Sequence, residues 1–433
     1  MNPAPHPSSR PDRSGHGDGS ASAASAASAA FASAPASGLP SRRGLLSGLV
    51  AGAALAAVGP AQAAAAHAVP ARAGARPAPM PAPPAGPRAT RPLLLGTYTS
   101  EAGGGAGIGT AAYDTGTGAI ASGPVITGVE NPSYLAPHPS GATVYAVAEQ
   151  GAGAVTAVAV APDGTYEVLG SRPTGGSGPT HLSVHPSGRW LLSANYTSGS
   201  VAVHPIAGDG SLGERTDLVT HSSPPPGPGQ GGPHAHQVLT SPDGGHVLAV
   251  DLGTDTVYTY ALDESAGTLT EVSRASLAPG SGPRHLAFHP GGRFAYVACE
   301  LDNTMVVCGY DPATGALTPG SGQSTGTGSG TSYPAQPVVT GDGAYVYLAN
   351  RGHNSLTRYA VESDGSVLRL LDTVPVGGDW PRQLALSPDS SLLFAANQRS
   401  STVTVFGVGP DGSLTAAGAP FPAPVAVCVL PLP

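Results

Sequence analysis

The sequence predicts an all-β protein, a seven-bladed β-propeller with four antiparallel strands in each blade. Three observations carry that prediction: a two-strand unit recurs along the chain, its copies are spaced 43 to 56 residues apart, and a half-copy at the C-terminus matches a missing half near residue 91. A repeat of roughly 40 to 50 residues made of short strands is the mark of a propeller blade. Composition agrees, with 62 glycines, 46 prolines and only 11% charged residues, and no sustained helical periodicity.

The clearest copy is GPRHLAFHPGGRFAYVACELDN, residues 282–303. Leu286 and Phe288 alternate with other side chains, His289-Pro290-Gly291-Gly292 makes a turn, and Phe294–Cys299 is a second apolar run, so two antiparallel strands meet at a tight connection. Anchored on the proline of that turn, the other copies centre on Pro139, Pro186, Pro242, Gly341 in the proline place, Pro388 and Pro431. The last is half a blade. Its partner is RPLLLGTYTS (residues 91–100), which aligns with RWLLSANYTS (residues 189–198). The seventh blade therefore takes its innermost strand from residues 425–430 and the others from about residues 93–126. The C-terminal strand completes the N-terminal blade, closing the ring and removing the open sheet edges.

Residues 1–63 read as an export signal. A Ser/Ala-rich lead ends in Arg42-Arg43, a modest apolar run and the cleavage pattern Ala61-Gln62-Ala63, and paired arginines before a Gly/Ala-rich core resemble a twin-arginine signal. Residues 64–92 are an Ala/Pro-rich linker without predicted structure, and residues 93–433 are the propeller. The expected location is secreted or extracytoplasmic, with no membrane attachment once the signal is cleaved. Cleavage takes four Arg and two Asp from the 19 basic and 27 acidic residues, leaving 15 and 25 and a net charge of −10. Every basic residue is an arginine, and they are scattered, which argues against nucleic acid as a partner. Cys299 and Cys308 flank one hairpin and Cys428 lies on the closing strand; they are read as free buried thiols, with a disulfide between the first two as the alternative open to an exported protein. No oligomeric state follows from the sequence.

In a blade the innermost strand lines the central channel and the second strand returns antiparallel, so the start of one and the end of the other share a face. Six residues before the anchors stand Ser133, Thr180, His236, Arg284, Ala335, Arg382 and Val425; ten residues after them stand Glu149, Tyr196, Leu252, Glu300, Arg351, Gln398 and, in the split blade, Tyr98. The preceding position is often small and polar, as in Asn195, Asp251, Asn350, Asn397 and Thr97. Positions kept for structure repeat a residue type, as the His-Pro turn does; these diverge, and His236, Arg284, Glu300, Arg351 and Arg382 gather at one channel mouth. A ring of ion pairs fixing the blades, Arg284 with Glu300, is the structural explanation. A small anionic or lactone-like ligand is the functional one, since buried charge is costly unless paired or used. Substrate contacts are assigned to Arg382, Glu149, Asn195, Tyr196, Asp251, Asn350 and Gln398.

Other features exclude chemistries. His234 and His236 are two apart but lack a third ligand at the same height, so no metal and no cofactor is expected. His138, His185 and His289 precede the turn prolines and read as turn residues. No G-x-S-x-G elbow supports a serine nucleophile. Two loops, residues 222–233 and 319–332, enter innermost strands and overhang the mouth.

At these residues the chain resembles the lactonase family of seven-bladed propellers, which includes propeller-type 6-phosphogluconolactonases and the fungal carboxy-cis,cis-muconate cyclase. The carrying motifs are LLLGTYT, ENPSYLAPHPSG, GPTHLSVHPSGRWLLSANY, PHAHQV, GPRHLAFHPGGRFAYVACELDNT, YLANRGHNSL, WPRQLALSPD and PVAVCV, spanning residues 91–431. The resemblance places the family's proposed active site on His236, Arg284, Glu300 and Arg351, the four that the repeat register selects. It implies opening of a sugar-type or carboxylated lactone by water: Glu300 or His236 as base, Arg284 holding His236 neutral, and Arg284 with Arg351 binding the oxyanion or an anionic substrate group. The export signal departs from the cytosolic members, whose phosphorylated lactone is not expected outside the cell. A muconate-type cycloisomerase and a non-catalytic ligand-binding propeller stay open as alternatives.

Overall fold

A computed structural model describes residues 89–222 and 230–433. The export signal and residues 64–88 of the predicted linker lie outside the described residues. Seven antiparallel sheets follow one another around a ring, and among the described residues the only helical turn is a 3₁₀ segment at Ser363–Gly365. Second strands such as Trp190–Asn195 and Leu392–Asn397 are buried along their whole length. Outermost strands such as Tyr166–Pro173 are largely exposed. This gradient is why inner strands read as continuous apolar runs and outer ones as alternation.

Counting from the first complete copy, blades 1 to 6 begin with the innermost strands Leu135–Pro137, Pro179–Val184, Ala235–Thr240, Pro283–Phe288, Tyr333–Val339 and Pro381–Leu386. Blade 7 is the split one: Ala426–Pro431 pairs with Thr90–Thr97, followed by Ile108–Asp114 and Ile120–Ile126. The body thus begins at Thr90, three residues before the predicted boundary. In blade 6 the outermost layer is broken into Leu414–Ala416 and Phe421–Pro422, both on Thr402–Val408.

One detail of register matters for everything at the mouth. Near its start the innermost strand carries a one-residue bulge, between Pro179 and His181, Ala235 and Gln237, Pro283 and His285, and Pro381 and Gln383. The extra residues are Thr180, His236, Arg284 and Arg382. Bulges release a residue from the ladder and re-aim its side chain. In the split blade the shift falls between Gly96 and Thr97, opposite Cys428 and Ala426, so the equivalent residue there is Val427. The predicted Val425 is corrected by two positions, and the last repeat is anchored on Pro433.

The turn histidines connect neighbouring blades: His138 Nε2 lies 2.9 Å from the Gly188 carbonyl and His185 Nε2 lies 3.3 Å from that of Gly244. Cys299, Cys308 and Cys428 are free and buried. Cys308 stands opposite Ala295 and Cys299 opposite Thr304, so the hairpin does not bring the two thiols face to face. Residues 319–324, predicted as loop, belong to the outermost strand Ala316–Ser324.

Candidate active site

A second device fixes the mouth. The residue ten after each anchor donates its backbone N–H to the residue eight before it: Glu149 to Asn131, Tyr196 to Gly178, Leu252 to His234, Glu300 to Gly282, Gln398 to Trp380 and Tyr98 to Val425, at 2.7–3.3 Å. Strand start and strand end are pinned together, and their side chains share one face of the ring.

On that face Glu300 Oε2 is ion-paired with both neighbouring guanidinium groups, lying 3.1 Å from Arg284 Nε and 2.6 Å from Arg351 Nη2. Arg284 is 2% exposed. Arg351 also donates to the carbonyls of Tyr333 and Pro334 at 3.3 Å. Burial pushes the Glu300 carboxyl up, but Arg351 and Arg284 outweigh it and hold the pKa below the ordinary value. Burial, with Arg351 alongside, takes Arg284 well below the usual arginine range.

His236 is buried beside this pair. Tyr196 packs edge-on to its ring, with centroids 5.4 Å apart, and Glu300, Arg284 and Arg351 all act on the Tyr196 hydroxyl. Burial first, then Arg284, Arg382 and Arg351, lower the His236 pKa well below its ordinary value. Its imidazole is therefore neutral at physiological pH, chiefly because it is dry and secondarily because of Arg284.

A neighbouring group surrounds Arg382. Glu149 Oε2 lies 3.8 Å from Arg382 Nη2 and accepts the Tyr98 hydroxyl at 2.8 Å, and the Arg382 guanidinium sits over the Tyr98 ring at 5.5 Å. Gln398 Nε2 donates to Glu101 at 3.3 Å. Trp380 is half-buried, with Arg399 against one side at 3.4 Å and Arg351 at 5.8 Å. Its φ of 64° is left-handed, where blades 2 and 4 place Gly178 and Gly282, both at 61°. A large side chain there costs about 1–2 kcal/mol and marks a position held for something other than backbone comfort.

The structure thus brings together His236, Arg284, Glu300, Arg351, Tyr196, Arg382 and Glu149, with Gln398 at the rim. Three residues assigned to substrate contact are corrected. Asn195 is fully buried and donates to Ser200 Oγ at 3.1 Å; Asn350 donates to Ser355 Oγ and Thr357 Oγ1 at 3.1 and 2.8 Å. Asp251 accepts three backbone N–H groups, of His234, Gly253 and Thr254, and lies 2.6 Å from His221 Nδ1. One position earlier on the strand, their side chains point to the other face and brace their own hairpins. Their similarity from blade to blade is itself the sign of a structural position. His234 precedes its strand, with its ring stacked on Tyr196 at 4.5 Å. Among the described residues no group of three or more His, Cys, Asp or Glu is placed to hold a metal.

The sequence reasoning missed Trp380, Tyr98 as a partner of Glu149, and His285 and His181 beneath the mouth. A surface groove of about 460 Å³ lies apart, with Arg172 as its only ionisable lining residue.

Fold and site together define a seven-bladed propeller with a cluster of buried, paired charges at one mouth of its ring. The chain belongs to the lactonase family: the family model for seven-bladed β-propeller lactonases matches residues 92–431. A 6-phosphogluconolactonase of Bacillus subtilis is 35% identical over 296 residues, covering 66% of this chain and 82% of that one. Among solved structures, a periplasmic gluconolactonase of Pseudomonas aeruginosa matches with TM-score 0.75 and 30% identity, covering 80% of this chain and 99% of that one. A protein of Lactobacillus plantarum gives 0.74 and 32%, with 80% and 100% covered.

Proposed function

We propose that the protein is an exported lactone hydrolase whose substrate is a sugar-type or carboxylated lactone, opened without a metal at the mouth formed by His236, Arg284, Glu300 and Arg351. The observation that supports this most strongly is the pairing of two buried guanidinium groups on one oxygen of Glu300 beside a neutral imidazole. Such a site offers what ester hydrolysis needs: fixed positive charge where the oxyanion develops, and an acceptor for the proton of the attacking water.

The water oxygen bonds to the lactone carbonyl carbon as its proton passes to the acceptor, His236 or Glu300. Arg284 and Arg351 hold the tetrahedral oxyanion. The ring C–O bond then breaks, the leaving alkoxide takes the proton back, and a hydroxy acid is released. For a carboxylated lactone, Arg382, beside Tyr98 and Glu149, would bind the acidic substituent by charge-assisted hydrogen bonds. The periplasmic gluconolactonase relative and the Arg42-Arg43 leader support an unphosphorylated sugar lactone met outside the cytoplasm.

The test is acid release in a pH-stat, with gluconolactone and 6-phosphogluconolactone as substrates, for wild type, His236→Gln and Arg351→Met. The expected outcome is hydrolysis above background by wild type and a loss of about a hundredfold or more in kcat/KM for each variant. Wild-type rates equal to background on both lactones would overturn the proposal.

A further inference from the structure

The blades are clipped together below the mouth by a repeated contact. In blades 2, 3 and 6 the residue after the bulge reaches across to the next blade and accepts its backbone N–H two residues past that blade's own bulge. His181 Nδ1 accepts from Val238 at 3.5 Å, Gln237 Oε1 from Leu286 at 2.7 Å and Gln383 Oε1 from Val429 at 2.8 Å. In blade 4 the corresponding residue is His285, and its target in blade 5 is Pro337. Proline has no N–H to give, so the clip cannot form.

His285 makes a different bond. Its Nε2 lies 3.2 Å from Nδ1 of His236, in the preceding blade, while its own Nδ1 is buried without a hydrogen-bonding partner in the protein. Only one proton fits between the two facing nitrogens, and its owner decides what His236 presents to the mouth. If His285 owns it, His236 carries its single proton on Nε2 and is a donor. If His236 owns it, Nε2 of His236 bears a lone pair and is a base.

The clip decides which. A clipped histidine such as His181 must keep Nδ1 bare to accept the neighbour's N–H, so its proton sits on Nε2. At His285 that demand is gone. Its proton is free to sit on Nδ1, which no neighbouring N–H requires as an acceptor. Nε2 of His285 is then an acceptor for His236 Nδ1–H.

We propose that Pro337 and His285 together set the tautomer of His236: by withholding the inter-blade N–H, Pro337 lets His285 accept from His236 Nδ1, which leaves His236 Nε2 as the proton acceptor facing the substrate. This rests on the lactonase proposal and sharpens it, because it assigns the water proton to His236 and leaves Glu300 to hold Arg284 and Arg351. His285 and Pro337 touch neither substrate nor reacting atoms; they are positioning residues.

The experiment is ¹⁵N NMR of histidine-labelled protein at pH 7.5, read alongside kcat and KM, for wild type, Pro337→Val, Pro337→Ala, His285→Phe and His285→Gln. In wild type, His236 is expected to show a protonated Nδ1 and an unprotonated Nε2. Both Pro337 variants restore the N–H, return His285 to the clip and move the His236 proton to Nε2, with kcat falling about tenfold to a hundredfold, the range for loss of an orienting partner, and KM little changed. His285→Phe should lose as much, and His285→Gln, whose amide oxygen can still accept near the Nε2 position, should recover most of it. A wild-type His236 protonated on Nε2 would overturn the proposal, as would folded Pro337 variants with unchanged tautomer and kcat. If the tautomers behave as stated while wild type opens no lactone, the tautomer inference stands and the lactonase proposal falls.

Discussion

Replacing Glu300 with Gln removes one negative charge from between two guanidinium groups and leaves the shape almost intact. Arg351 keeps its bonds to the Tyr333 and Pro334 carbonyls. Arg284 keeps much less: it is 2% exposed, its Nε and Nη1 make no hydrogen bond, and among the described residues Glu300 is its only contacting counter-ion. Stripping the partner from a buried charge costs roughly 3–5 kcal/mol. Because the Glu300 side chain is 18% exposed and glutamine still accepts a hydrogen bond, the lower end applies, about 3 kcal/mol. Urea unfolding followed by fluorescence of Trp190 and Trp380 measures it, and kcat/KM for lactone opening should fall in parallel. The double variant Arg284→Met/Glu300→Gln removes the stranded charge as well, so it should be more stable than the sum of the single changes by about 1–2 kcal/mol. A Glu300→Gln protein within about 0.5 kcal/mol of wild type, or strictly additive changes, would refute a buried, coupled Arg–Glu–Arg centre.

Acid should weaken the fold through the histidines of the mouth and channel. His181 is lowered to about 3 by burial and then Arg284, and His236 and His285 are lowered by the same causes. Folded values below the unfolded 6.5 mean that the unfolded chain binds more protons, so this stability is complete above pH 6.5 and is lost as pH falls, by at most about 4 kcal/mol per pH unit for three groups; an unchanged urea midpoint between pH 7.5 and 5 would contradict it. Trp380→Gly relieves the left-handed backbone strain but adds unfolded-state entropy, so stability should stay within about 1 kcal/mol while KM for the lactone rises several-fold; an unchanged KM would remove Trp380 from the site. Deleting residues 426–433 takes away the innermost strand of blade 7 and bares the edge of Thr90–Thr97, and light scattering should show aggregation, whereas a folded monomer would contradict ring closure by that strand.

How far the sequence carried is best seen at particular positions. The divergence of His236, Arg284, Glu300 and Arg351 among otherwise similar repeats was enough to pick out residues that the fold brings to one face, because a fixed repeat fixes strand geometry. Asn195, Asp251 and Asn350 were misassigned because a step of one residue along a strand reverses the side chain, and the neighbouring position was read as sharing the face. Val425 stood in for Val427 because Pro431 resembles the turn proline that Pro433 replaces. The link between His285 and His236 was hidden for another reason. It depends on what Pro337 fails to donate from a different blade, a relation visible only once the inter-blade contacts are known. Trp380 left no signal in the apolar pattern, since its distinction is a backbone conformation.

The most direct measurement is a crystal structure of the protein soaked with the sugar acid that a lactone yields on opening. The product carboxylate should lie between Arg284 and Arg351, with the hydroxyl freed by ring opening within hydrogen-bonding distance of His236 Nε2. Density for the acid elsewhere on the ring, with these side chains untouched, would contradict the site.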